Sequence, residues 1–227
     1  MNDRNEAGLT LLEEPLSGLH YRIVERTAGE TPVARLLLLH GVGSNEASMA
    51  ALAGTVNARI QVVLVRAPLV LGPHQFGWFQ VSFQTGAPQI DADQAETSRQ
   101  QMVRLIGALN ADKPLPTVVA GFSQGGILSA SVGLSAPMAV AGFAILSGRI
   151  LPEIEPRLAP RNALAGLRVF VSHGRFDNKL PVDWADRSDR WLTALGIHHQ
   201  TRLYPIGHEL TAEVAADFNR WLEATLI

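Results

Sequence analysis

Apolar residues cluster along the chain in short dense runs, and the stretches between them carry apolar positions at spacings of three and four. The runs cover residues 36–39, 60–65, 117–122, 140–146, 167–171 and 201–204. Most are rich in Val, Ile and Leu without polar alternation, as in parallel strands covered on both faces. Leu19, Tyr21 and Ile23 alternate with polar residues and predict an outer strand that can pair antiparallel. Met102, Leu105, Ile106 and Leu109 predict a helix, with Asp93 and Glu96 as a capping box at its start. Weaker stripes, Trp184/Ser188/Trp191/Leu192/Leu195 and Val214/Phe218/Trp221/Leu222, predict two more. Strand and helix in alternation give an α/β chain with right-handed crossovers, a mostly parallel doubly wound sheet with helices on both faces.

Two stretches break the alternation. Residues 66–90 hold Pro68, Gly72, Pro73, Gly77, Gly86 and Pro88 with four aromatics, and residues 148–162 hold three prolines. Long aperiodic connections often cover a binding site, and the aromatics make the first a candidate pocket wall.

At 227 residues and 47% apolar content the chain can bury one large core, so we expect a single domain over 1–227 with residues 1–16 peripheral or poorly ordered. Nineteen basic and 21 acidic residues give a charge of −2 without like-charge runs, which argues against nucleic acid or an anionic membrane surface as partner. The N-terminus lacks the apolar stretch of a signal peptide, and no run approaches the ~20 residues of a membrane span. Without cysteine there is no disulfide, thiolate metal site or cysteine nucleophile. A cytoplasmic setting is expected; a homodimer is left open.

The sharpest local signal is Gly121-Phe122-Ser123-Gln124-Gly125. The G-x-S-x-G pattern alone is common, but here a buried run precedes it and a helix-competent stretch follows. In that strand–turn–helix setting the serine hydroxyl projects from a strained turn, and a side chain at Gly121 or Gly125 would collide with its neighbours. A serine nucleophile needs a base, and the base an orienting acid, which in this architecture follow in the order Ser, Asp or Glu, His. Ser172-His173-Gly174-Arg175-Phe176-Asp177 lies beyond one strand and Gly207-His208-Glu209 beyond the next. Asp177 is therefore the candidate acid and His208 the candidate base. His173 precedes the acid and reads as a structural hydrogen-bonding group. His198 and His199 start a strand at the wrong edge, and as adjacent residues face opposite ways. Asp183 and Asp186 fall in the following helix, and Glu209 could replace Asp177 only in an unexpected loop. Two backbone donors should face the developing oxyanion: the N–H of Gln124, and that of Val42 in the turn His40-Gly41-Val42-Gly43-Ser44. That turn is no nucleotide loop, since Glu46 stands where a third glycine would be required.

Leu39-His40-Gly41-Val42-Gly43, Gly121-Phe122-Ser123-Gln124-Gly125-Gly126, Asp177 with Leu180-Pro181, and Gly207-His208 together resemble the phospholipase/carboxylesterase family of α/β-hydrolases, which includes acyl-protein thioesterases and small bacterial carboxylesterases. The resemblance implies an α/β-hydrolase fold without a large cap domain, and a Ser123–His208–Asp177 triad cleaving carboxylic esters or thioesters without cofactor or metal. Gly77-Trp78-Phe79 is similar to the family's aromatic segment beside the acyl pocket; Val70, Leu71, Trp78, Phe79 and Leu180 are the candidate pocket wall. The expected partner is a small-molecule ester or thioester of small to medium acyl chain. Competing readings are a non-catalytic small-molecule binder on the same fold and a dienelactone-hydrolase-like lactone hydrolase, whose usual cysteine nucleophile is absent. Whether residues 76–83 form a lid or a fixed wall is open.

Overall fold

The computed structural model describes residues 10–24, 31–82 and 89–227. In chain order the elements are β1 (Leu12–Glu14), β2 (Leu19–Ile23), β3 (Ala34–Leu39), α1 (Ala50–Ala53), β4 (Ile60–Arg66), β5 (Leu69–Gly72), β6 (Gln75–Gly77), β7 (Val81–Ser82), β8 (Gln89–Ile90) and α2 (Ala92–Asp112). They continue as β9 (Thr117–Phe122), α3 (Gln124–Ser135), β10 (Gly142–Leu146), α4 (Arg161–Leu164), β11 (Arg168–Gly174), α5 (Asp183–Leu195), β12 (His198–Tyr204) and α6 (Ala212–Leu226). Eight strands form one sheet in the order β1-β2-β4-β3-β9-β10-β11-β12, antiparallel at β1–β2–β4 and parallel from β4 to β12.

The apolar runs explain the layering. In β3 all six residues are buried; Leu37 and Leu39 face one side of the sheet, Leu36 and Leu38 the other. The first side packs on α2, α3 and α5 through Met102, Leu105, Ile106, Ile127, Leu128, Ala185 and Leu192. The opposite side packs on α1 and α6 through Leu52, Ala53, Phe218, Trp221 and Leu222. Fully burying such side chains contributes about 1.5–3 kcal/mol each, so the core sits in both faces of the central strands. No described helix is long and apolar enough to cross a membrane.

Several elements differ from the sequence expectation. The strand 19–23 lies near the edge and pairs antiparallel as expected, but a further strand lies outside it: β1, which leads into β2 through a turn in which Glu14 accepts the N–H groups of Leu16 and Ser17 and Gly18 adopts φ 69°. Residues 1–9 lie outside the described residues. The α2 cap is Asp91, whose side chain accepts the Gln94 N–H at 3.0 Å, rather than Asp93 with Glu96. The chain enters the helix one residue before Asp93, and this frees Glu96 to bind Arg99 and Arg157. Residues 66–90 contain two short antiparallel ribbons, β5–β6 and β7–β8, too brief to leave a periodic signal. Phe83 and most of the 83–90 connection lie outside the described residues. The proline-rich stretch after β10 makes a 3-10 turn at Pro152–Arg157 and then α4, burying Ile154 and Leu164.

Candidate active site

The parallel strands β3, β9, β10, β11 and β12 lie side by side, and the residues singled out from the sequence lie in the loops beyond the ends of four of them: Val42 after β3, Ser123 after β9, Asp177 after β11 and His208 after β12. Ser123 occupies the turn between β9 and α3 at φ 54°, ψ −117°, a conformation non-glycine residues avoid. The turn holds because the Ser123 N–H donates to Leu146 O at 2.8 Å and Ser123 O accepts the first helical N–H, from Ile127. The flanking glycines are sterically required. A Cβ at Gly121 would lie 2.2 Å from the Gly125 carbonyl carbon, and one at Gly125 2.3 Å from Leu39 O.

His208 Nε2 lies 2.9 Å from Ser123 Oγ, and its Nδ1 2.6 Å from Asp177 Oδ2. The remaining carboxylate oxygen, Oδ1, accepts the Lys179 and Leu180 N–H groups at 2.8 Å each. Burial alone would raise the Asp177 pKa, but the Leu180 N–H, the His208 ring and the Lys179 N–H outweigh it and hold the carboxyl below its ordinary range. An ionised Asp177 only accepts, so Nδ1 of His208 carries the proton and Nε2 is free to take one from Ser123. The loops that carry Asp177 and His208 are joined by backbone: Arg175 N–H donates to Tyr204 O and Phe176 N–H to Ile206 O. Their approach at Gly174 leaves no room for a Cβ, which would lie 2.2 Å from Gly207 O. Phe122 packs its ring 4.8 Å from that of His208.

The loop after β3 passes directly over the serine, where a Cβ at Gly41 would meet Ser123 Cβ at 3.3 Å. Gly43 turns at φ 75° and donates its N–H to Phe76 O. Among the described residues the Val42 N–H meets no protein acceptor. The Gln124 N–H, first in α3, has no intrahelical acceptor by helix geometry. The pair can serve an oxygen bound at Ser123.

Other histidines fall outside this chain of contacts. His173 is buried, donates Nε2–H to Leu180 O at 2.7 Å, and lies 3.4 Å from Asp177 Oδ2. His199 contacts Asp189, while His198 begins the edge strand β12. Asp183 and Asp186 stand exposed in the first turn of α5, as does Glu209 beside the base. No group of three metal-ligating side chains occurs among the described residues.

The candidate pocket residues divide. Val70 and Leu71 are exposed and Leu180 half-buried, whereas Trp78 and Phe79 are completely covered. Trp78 donates its ring N–H to His40 O at 2.9 Å and thereby supports the loop after β3 from behind. Gln124 fixes the same segment, its side chain accepting the Trp78 N–H and donating to Phe79 O, both at 2.7 Å. Residues 76–80 are thus a fixed support. His40, fully buried, accepts the Ala67 N–H at Nε2 and donates Nδ1–H to Gly41 O. Burial holds its pKa below the ordinary value, so the ring stays neutral. Glu46, just beyond the loop, is buried between Arg22 and Arg66. The sequence carries no local signal for these supports, because each depends on a partner far away in the chain.

A sequence model of the phospholipase/carboxylesterase family matches residues 20–226. The chain belongs to the phospholipase/carboxylesterase family. An acyl-protein thioesterase 1 from Mycosarcoma maydis is 27% identical over 194 residues, covering 76% of this chain and 81% of its own. A carboxylesterase from Mesorhizobium loti superposes with a TM-score of 0.80 at 23% identity, covering 95% of this chain and 98% of its own. Acyl-protein thioesterase 2 from Zea mays gives 0.76 at 21%, covering 91% and 99%. These likenesses show that this member of the family has the α/β-hydrolase fold expected from its sequence.

Proposed function

We propose that this protein is a serine hydrolase of carboxylic esters or thioesters, working through Ser123, His208 and Asp177. The observation that carries this reading is the unbroken hydrogen-bonded line from Ser123 Oγ through the His208 ring to Asp177, at 2.9 and 2.6 Å. Ser123 Oγ attacks the substrate carbonyl while His208 Nε2 takes the hydroxyl proton, and Asp177 stabilises the imidazolium. The Val42 and Gln124 N–H groups receive the oxyanion. The proton then passes to the leaving alcohol or thiol. Water, activated by the same imidazole, releases the acid from the acyl-enzyme. Side chains of Leu71, Val42 and Gln124 converge on Gly77, where a Cβ would meet them at 3.0, 3.4 and 3.5 Å. Exposed Val42 and Leu71 therefore offer an apolar edge beside the oxyanion donors, suited to an acyl chain. A cytoplasmic setting is proposed from the cysteine-free composition.

A fluorophosphonate probe should label Ser123, located by mass spectrometry of the digest, and S123A should abolish labelling. Nitrophenyl esters of graded chain length should be turned over, with S123A slower by on the order of 10⁶. Ester binding without turnover or labelling would instead support the receptor reading.

A further inference from the structure

Three arginines are buried among the described residues, and two are satisfied in the ordinary way. Arg22 pairs with Glu46, and Arg35 donates to Gln61, Asn110 and the Lys113 carbonyl. Arg149 is different. It is only 8% exposed, yet among the described residues no carboxylate lies within salt-bridge reach and no acceptor takes any of its N–H groups. Among the described residues its one direct contact of this kind is the indole of Trp184, with Cζ 4.3 Å from the ring centroid, while the Glu153 carboxylate attracts it from beyond ion-pair distance. A second guanidinium, from the exposed Arg187, sits 4.7 Å from the same ring. The Arg149 nitrogens are not among the sealed polar atoms without partners, so solvent still reaches them. A largely covered cation whose guanidinium donors meet only solvent keeps those donors available to a ligand that can reach them.

Its place in the fold indicates what. Arg149 follows Ser147-Gly148 beyond β10, and a Cβ at Gly148 would lie 2.9 Å from Ser123 O. Arg149 is therefore one residue, about 3.8 Å of chain, from contact with the serine turn. Trp184 stands in the first turn of α5, directly after the Asp177 loop, its N–H held by Pro181 O. Ser188 Oγ accepts the Ile150 N–H and donates to Trp184 O, so loop and helix are fastened together. Arg149 thus follows the strand next to the serine turn, and its guanidinium rests on the helix that follows the Asp177 loop, beyond the carboxyl ends of the parallel strands. Contact with the indole face holds the guanidinium in place, and its fork of donors suits a planar, bidentate acceptor.

We infer that Arg149, stacked on Trp184 with Arg187 beside it, is a specificity-determining residue that selects esters or thioesters carrying a carboxylate or phosphate, a conclusion that rests on the hydrolase reading above. The anion can belong to the acyl part or to the alcohol, and two substrate series separate these. One compares monomethyl esters of straight-chain dicarboxylic acids with methyl esters of monocarboxylic acids of equal length. The other compares 2-acetoxyethyl phosphate with 2-acetoxyethanol. In at least one series the charged member should have the higher kcat/KM, by about tenfold to a hundredfold. R149Q should collapse that ratio towards one, and R149K, which keeps the charge without the fork, should retain part of it. Equal or better use of the neutral member in both series, or a preference that survives R149Q, overturns the inference while leaving the hydrolase reading intact. If no ester turns over, the hydrolase reading fails. Adipate binding by calorimetry that is lost in R149Q then still upholds the anion site, and absence of binding overturns it.

Discussion

Replacing Glu46 by Gln tests the physical account of how the loop after β3 is held. The Glu46 side chain is completely buried and accepts three charge-assisted hydrogen bonds at 2.7 Å, from Arg22 Nε and from Arg66 Nε and Nη2. Arg22 comes from β2 and Arg66 from the end of β4, so the carboxylate ties the 3-10 turn Glu46–Met49 to the sheet. Arg66 also lies 4.7 Å over the Phe76 ring, extending the tie to β6. Burial by itself would raise the Glu46 pKa, but the two arginines pull it from the ordinary 4.5 to about 2. At about 1.4 kcal/mol per tenfold change in proton affinity, that depression corresponds to about 3 kcal/mol of stability. Removing one partner of a buried pair costs about 3–5 kcal/mol, which is the same range by an independent route. With a urea m-value of about 1–3 kcal/mol/M, E46Q should unfold at a midpoint lower by about 1–3 M at pH 7.

The sign of the pH dependence follows from the direction of the shift. A carboxyl whose folded pKa is depressed stabilises fully above its unfolded value and loses that contribution as pH falls through the folded one. The gap between wild type and E46Q should therefore be constant above pH 5, shrink from about 4.5 downward and vanish near 2. Glu96, also held at about 2, titrates alike in both proteins and cancels in the difference. A gap under 1 kcal/mol at pH 7, or one unchanged between pH 7 and 3, would refute the reasoning.

Three further substitutions probe other parts of the site. D177N should lower kcat by on the order of 10⁴, because an amide can favour the wrong His208 tautomer, with melting temperature little changed; steady-state kinetics reads this. Q124L keeps the backbone N–H but strands the Trp78 N–H and the Phe79 carbonyl; about 1–3 kcal/mol per stranded group should appear in denaturant unfolding. G125A places a methyl group 2.3 Å from Leu39 O and should destabilise by at least about 1–3 kcal/mol and slow probe labelling of Ser123.

What could be read beforehand, and what could not, divides by the range of the interaction involved. The sheet was legible because the central stretches of β3, β4, β9, β10 and β11 are buried on both faces and are dense in apolar residues, a local property of each run. The turn that carries Ser123 was legible because it demands glycines at fixed offsets, and the loops of Asp177 and His208 because each follows its own strand; that these side chains do chemistry is the proposal above. The α2 cap was misplaced by two residues because Asp91 and Asp93 are chemically equivalent candidates, and only the angle at which the chain leaves β8 chooses between them. The ribbons β5–β6 and β7–β8 were missed because two to four residues cannot establish a period.

The supports behind the site were illegible for a deeper reason. Glu46 is recognisable as structural only when Arg22 and Arg66, 24 and 20 positions away, are known to close on it. Trp78 reads from its aromatic neighbourhood as a pocket residue, yet its ring N–H has a single purpose 38 positions earlier in the chain, at His40 O. Arg149 gave no signal, since charge in a sequence is presumed solvated and its burial is a fact of tertiary structure alone. The chemistry of the proposed triad would thus be written in local motifs, whereas the contacts that hold its surroundings are written in pairs far apart. It follows that substitutions at Glu46, His40 or Gln124 should impair the oxyanion donors through geometry and leave the Ser123–His208–Asp177 line itself in place. Such variants should lose kcat more than KM on activated esters, and the ratio of the two losses separates a displaced loop from a broken proton relay.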